Sequence, residues 1–167
     1  FRWLGAVPAD CSHHQYCQLA AVRWDRLWAE GIREAGVIFN RDRIGEPGSH
    51  WVALYLRLGE GTPAVCFCDS VGRPPSPEMS SFIDTFRDWC QSRGQTPVTK
   101  TNQIRYQTDK TECGVYSCNF IIRMLAGHRF EEVVGDRPDF DLIQGCRRYY
   151  FGQDGRPHSS CDPDRLG

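Results

Sequence analysis

Cysteine is a strong side-chain nucleophile once its thiol is ionised, and Cys113 stands where ionisation would be favoured. It lies in the stretch Gln107-Thr-Asp-Lys-Thr-Glu-Cys113-Gly-Val-Tyr116. Val115, Cys118, Ile121, Ile122 and Leu125 follow, and the last four recur at helical spacing, so they predict one apolar helix face. Thr111 and Glu112 fit a helix start. Cys113 would then sit at a helix N-terminus, where the dipole and open N–H groups favour the thiolate. A cysteine heading an apolar helix is more often packing than catalysis, so the chemical reading needs partners.

Two partners come from a predicted hairpin. His50 to Leu58 alternates, with Val52, Leu54, Leu56 and Leu58 on one face and Ala53, Tyr55 and Arg57 on the other. Gly59 to Pro63 supplies the turn, and Ala64 to Asp69 returns. An antiparallel hairpin sets the start of its first strand beside the end of its second, so His50 and Asp69 are predicted neighbours. Histidine titrates near neutrality and suits a general base. An aspartate can fix its tautomer and steady the imidazolium. Gln107, six positions before Cys113, could join the backbone N–H of Cys113 as an oxyanion donor. Each residue has a structural alternative: a strand-end histidine bonded to backbone, an aspartate capping the Ser70–Gly72 turn, an exposed loop glutamine. Those alternatives must all hold together, whereas one catalytic reading covers the set.

The remaining elements would frame this hairpin. Residues 15 to 35 favour a helix, Val37 to Phe39 a short strand, and Asn40 to Gly48 a polar loop. Phe82, Phe86 and Trp89 mark a helix over residues 78 to 93, which Gly94 ends. Asn102 to Tyr106 is expected as a short strand, and Phe130 to Val134 and Phe140 to Phe151 as short helices. Phe1 to Ala9 is a short apolar opening. The tail from Gly152 is rich in Gly, Pro, Asp and Ser and is expected to be frayed or an ordered loop.

The 167 residues suffice for a single domain over 1–167, without internal repeat. A net charge of −1 argues against a strongly basic nucleic-acid surface, leaving at most a local patch around Arg147 and Arg148. No apolar run approaches the ~18 residues of a membrane span. The opening has neither an apolar signal region nor an initiator Met, as in a segment of a larger protein. Nine cysteines, an odd number in a chain of this length, predict mostly free thiols in a reducing, intracellular setting: host cytoplasm, nucleus or virion. Cys11, His13, His14 and Cys17 cluster, and with Cys66, Cys68, His158 or Cys161 could bind zinc. Their spacing fits no common zinc pattern, so loop residues with buried thiols are the default, and neither metal nor other cofactor is expected.

The ordered set His50-Trp51, Asp69-Ser70, then Gln107 five residues short of Cys113-Gly114, resembles the His–Asp–Gln–Cys signature of adenovirus-type and SUMO/ubiquitin-like-deconjugating cysteine proteases. The resemblance spans roughly residues 1 to 150. It implies an α+β fold, with a central mostly antiparallel sheet and the Cys113 helix packed on it. The opening Phe1 to Asp10, Ile38-Phe-Asn40 and Gly48-Ser-His-Trp-Val-Ala53 are similar to the adenain-like proteases of adenoviruses and Polinton- or adintovirus-type elements. That branch implies endoproteolytic maturation of viral proteins, with protein or polyprotein substrates. The deconjugating branch, with a ubiquitin-like partner and isopeptidase chemistry, is the alternative; Trp3-Leu4 is a faint echo of its exosite. A zinc module and a degenerate binding-only fold are the readings from other classes.

Overall fold

The start of the hairpin sets the architecture. In the computed structural model, which describes residues 1–59, 61–108, 111–136 and 140–151, β3 (Trp51–Arg57) and β4 (Ala64–Cys68) pair antiparallel from Ala53 opposite Cys68 to Arg57 opposite Ala64. Strand β2 (Glu34–Asn40) pairs antiparallel on the other side of β3. Two edge strands join parallel: β1 (Arg2–Pro8) against β2, and β5 (Val98–Thr101) against β4. The five-stranded sheet is therefore antiparallel at its centre, within the α+β fold expected.

Both faces of β3 are covered, which explains why all of Val52 to Leu56 is buried. Val52, Leu54 and Leu56 face α2 (Pro77–Ser92) and α1 (Trp24–Ala29), in a core with Phe39, Phe67, Phe82, Phe86 and Trp89. Ser76 caps α2 by accepting from the Met79 N–H, and Pro77 fills its first turn. Ala53, Tyr55, Cys66 and Cys68 face the opposite way, against Phe120, Ile121 and Met124 of α3 (Cys113–Leu125) and Phe130 and Val133 of α4 (Phe130–Gly135). A third cluster joins Val115 and Tyr116 of α3 to Ile143 of α5 (Phe140–Tyr150). Burying each such large apolar side chain stabilises the fold by roughly 1.5–3 kcal/mol.

Five expectations change. The helix over 15 to 35 shrinks to α1, because residues 11–22 run through consecutive tight turns, with His14 N–H to Cys11, Cys17 N–H to His14 and Ala20 N–H to Cys17 carbonyls. Cys11 and Cys17 are not free thiols; a disulfide joins them across a Cα separation of 5.5 Å. Cys66, Cys68, Cys90, Cys113 and Cys118 are free. The strand placed at Asn102 to Tyr106 lies earlier, at β5, because the Asn102 carboxamide accepts from Ile104 N–H and donates to Ile104 C=O, turning the chain. The apolar opening is a strand. Finally, Cys118, Ile122 and Leu125 form the half-exposed side of α3, and Cys113, Tyr116, Phe120 and Met124 its buried one, since α5 and the sheet pack the flanks that apolarity alone did not mark. The tail from Gly152, with His158 and Cys161, lies outside the described residues. No described helix is long and apolar enough to cross a membrane.

Candidate active site

His50 arrives through a loop that is tied at both ends. Asp42 gathers it: one carboxylate oxygen accepts from Gly48 N–H at 3.1 Å, the other from the Ser49 hydroxyl at 2.6 Å. Gly48 has φ +86°, and a Cβ there would stand 2.8 Å from Asn40 Nδ2, so this corner requires glycine. The Arg41 N–H then bonds the His50 carbonyl at 2.8 Å, extending the β2–β3 ladder by one step.

Asp69 follows β4 directly and is fully buried. Its Oδ1 lies 2.7 Å from His50 Nε2 and accepts from Val71 N–H at 2.9 Å. The turn-capping role and the partnership with histidine thus coexist on one oxygen. Gly72, at φ +77°, closes the turn with an N–H bond of 2.7 Å to the Asp69 carbonyl. A Cβ at Gly72 would press to 3.0 Å of the Gln103–Ile104 backbone, so that approach again requires glycine. Asn102 Nδ2 donates to the Asp69 carbonyl at 2.7 Å from the far side.

Cys113 opens α3, buried, with Glu112 as the preceding cap residue. His50 is also coupled electrostatically to the Cys113 sulfur, so one ring serves both groups. With Nε2 given to the carboxylate, Nδ1 is the nitrogen that faces the thiol. Burial opposes ionisation of both groups, but their bonds outweigh it. The His50 imidazolium is pushed up to about 9 by Asp69 and by Cys113. The thiol of Cys113 is held below its ordinary value by the His50 hydrogen bond and charge and by N–H groups of Trp51 and Gly114. The favoured state is a thiolate–imidazolium pair.

Gln107 is buried rather than an exposed loop residue. Its N–H bonds the Ser70 carbonyl at 3.0 Å, and its Oε1 accepts the Ser70 hydroxyl at 2.5 Å. That bond orients the amide, with its NH₂ as the donor end. Neighbouring residues Asp69 and Ser70 therefore hold His50 and Gln107 respectively.

Sequence reasoning missed Arg41, read as part of a polar loop. Its guanidinium Nη1 lies 3.2 Å from Asp69 Oδ2 and 2.9 Å from the Pro74 carbonyl. It also missed Ser70 as the support of Gln107; the adjacency of Ser70 to Asp69 was the available signal. Arg147 of α5, which the sequence offers only as part of a basic patch, pairs with Glu112 at 2.9 Å. Cys11 and Cys17, being bonded to each other, are withdrawn from any metal set, and His14 pairs with Asp10 at 2.9 Å. Among the described residues no group of three or more His, Cys, Asp or Glu could hold a metal ion.

A buried Cys–His–Asp arrangement on this α+β sheet defines a cysteine-protease class of domain. The model of the Ulp1 protease family, C-terminal catalytic domain, matches residues 35–151, and the chain belongs to that family. Protein R355 of Acanthamoeba polyphaga mimivirus, named as a candidate thiol protease, is 42% identical over 171 residues, covering 100% of this chain and 56% of its own length. Cysteine protease S273R of African swine fever virus is 25% identical over 117 residues, covering 70% of this chain and 43% of its own length. The chain spans about half the length of these curated relatives. The crystal structure of the African swine fever virus pS273R protease superposes with a TM-score of 0.73 at 17% identity, covering 92% of this chain and 59% of that one. The Rickettsia bellii effector RickCE superposes with a TM-score of 0.53 at 17% identity, covering 80% of this chain and 52% of that one.

Proposed function

We propose that this domain is a cysteine endopeptidase in which Cys113, His50 and Asp69 form the catalytic triad and Gln107 the oxyanion hole. The observation that carries the reading is the single His50 ring, held at 2.7 Å by Asp69 Oδ1 and electrostatically coupled to the Cys113 sulfur. The Cys113 thiolate attacks the scissile carbonyl carbon, and electrons move onto its oxygen. Gln107 Nε2 and the Cys113 N–H donate to that oxyanion. His50 passes its Nδ1 proton to the leaving amine, the C–N bond breaks, and a thioester remains. Water then gives a proton to His50 as it attacks the thioester, releasing the carboxylic acid and restoring the thiolate. Asp69 keeps the imidazole in the required tautomer throughout.

The substrate in this reading is a viral or viral-element polyprotein, cut during maturation. Support comes from the two viral relatives and from the adenain-like residues of the opening and of Gly48 to Ala53. The second reading is an isopeptidase acting on ubiquitin or a SUMO-type protein, which the Ulp1 family description and the name "SUMO-1 cysteine protease" of one 23% identical relative favour. The compartment proposed is a reducing, intracellular one, on the five free thiols and the reactive Cys113, with the Cys11–Cys17 disulfide as the feature set against it. The test is cleavage of a peptide library by wild type and Cys113→Ala, beside ubiquitin- and SUMO-vinyl probes. The expected outcome is peptide turnover lost at least about 10³-fold in the variant with the fold intact. Residual turnover near wild type would remove Cys113; labelling by a ubiquitin-like probe without peptide cleavage would replace the first reading with the second.

A further inference from the structure

The four charges of the site form a chain that the triad alone does not complete. Asp69 Oδ1 carries two bonds, to His50 and to Val71 N–H. Oδ2, on a carboxylate with no solvent exposure, faces Arg41 at 3.2 Å. The same guanidinium reaches the Pro74 carbonyl at 2.9 Å, and the Arg41 N–H holds the His50 carbonyl at 2.8 Å. One residue thus grips Asp69 by side chain, His50 by backbone and the turn after β4 through Pro74. A buried carboxylate without a compensating cation is strongly disfavoured, because burial penalises its charged form. Building on the triad reading, we propose that Arg41 is a positioning residue of the reaction: it fixes the Asp69 carboxylate toward His50 and balances the charge of the Asp69–His50–Cys113 group.

The surroundings make Arg41 separable from other influences. Besides His50 and Cys113, the titratable groups near Asp69 are Cys68 at the end of β4 and Tyr106 in the segment after β5. They bond each other at 2.9 Å. Burial pushes the Cys68 thiol up to about 12 and the Tyr106 phenol well above its ordinary range, so both stay neutral. On the α3 side, Glu112 beside Cys113 is paired with Arg147. Removing the Arg41 cation therefore shifts the balance in one direction. The imidazolium, relieved of a nearby positive charge, holds its proton more firmly. The thiolate, deprived of that charge, is less favoured. Both limbs of the pH profile should move upward together.

Arg41→Met and Arg41→Lys decide the matter, assayed on a cleaved peptide between about pH 5 and 10 with melting temperatures alongside. Arg41→Met is expected to lose about 10- to 100-fold in kcat with KM little changed, and both limbs of kcat/KM are expected to rise by about one pH unit. Arg41→Lys, which keeps the charge, should restore the limbs to their wild-type positions and recover part of the rate. Unmoved limbs in Arg41→Met, or a loss that tracks melting temperature alone, would overturn the proposal. Should Arg41→Lys not fold, return of the limbs to their wild-type positions on adding guanidinium to Arg41→Met is read in its place. Should Arg41→Met itself not fold, the pH dependence of Cys113 alkylation in Arg41→Gln is read instead, by the same criterion. Cys113→Ala separates the two levels: if it stays active the triad falls, whereas an inert Cys113→Ala with unmoved Arg41→Met limbs removes Arg41 only.

Discussion

The two faces of the sheet are built for different tasks. Against α2 the interior is aromatic and dry: Phe82 packs edge-on to Phe39 at 6.0 Å, and Trp24 edge-on to Phe86 at 5.2 Å. Indole N–H groups find partners at the margin, Trp24 on Thr85 and Trp89 on Asp25. Toward α3 the apolar packing of Phe120, Ile121 and Met124 is joined by polar groups, with Asp69, Ser70, Asn102, Gln107, Glu112, Ser117, Asn119 and Arg123 all buried. Non-directional packing tolerates approximate partners, whereas buried polar groups each demand a specific one. The α2 face holds the sheet rigid, and the α3 face spends that rigidity on geometry.

This division can be broken by substitutions on either side. Phe86→Ala, at a fully buried ring among Trp24 and Trp89, should cost about 3–5 kcal/mol of stability. Its folded fraction should keep a normal kcat; chemical denaturation and kinetics at a permissive temperature check both. A specific loss of kcat there would show that the dry face takes part in catalysis.

Gln107→Ala should do the reverse. In the proposed role it removes one oxyanion donor, so it is expected to lower kcat by ~10²- to 10³-fold with KM little changed. Gln107→Glu should be at least as damaging, because a carboxylate opposes the developing negative charge. A near-normal kcat in either variant would take Gln107 out of the site.

The thiols sharpen the contrast without any mutation. Burial pushes Cys66 and Cys90 up to about 11 and Cys68 to about 12, and raises Cys118 as well, whereas Cys113 is lowered. Iodoacetamide at about pH 6 should therefore modify Cys113 ahead of these four, as read by mass-spectrometric mapping. The same pair sets the pH profile. His50 loses its proton near 9, so activity should fall as pH rises through that value, and it should rise on the acid side as Cys113 ionises below the ordinary thiol range. Uniform labelling, or a profile still climbing above pH 9, would contradict the ion pair.

Much of this arrangement is written in local patterns. Alternation over His50 to Leu58 and the glycine-rich turn place His50 beside Asp69 because a hairpin is a short-range object. The spacing of Phe82, Phe86 and Trp89 gives α2 to within a residue at each end. Long-range pairing is less legible. Strand β1 has a broken alternation, and its parallel partner lies about thirty residues away; β5 presents only Val98-Thr-Lys-Thr101, with no apolar stripe. The buried side of α3 does not follow its apolar stripe, because helix and sheet flank it on several sides, so Asn119 and Arg123 are interior despite their polarity. Arg41 carried no signal at all: an arginine in a polar loop looks solvated until the fold sets a buried carboxylate beside it.

Asp69 and Ser70 leave β4 as neighbours, one serving His50 and the other Gln107. Both stand in the turn that directly follows the strand, so their two positions depend on the count of residues along β4. One inserted or deleted residue between Ala64 and Asp69 would turn both side chains to the wrong sides at once. The end of β4 is therefore the place where a change in length, rather than in residue type, displaces the supports of the proposed base and oxyanion donor in a single step.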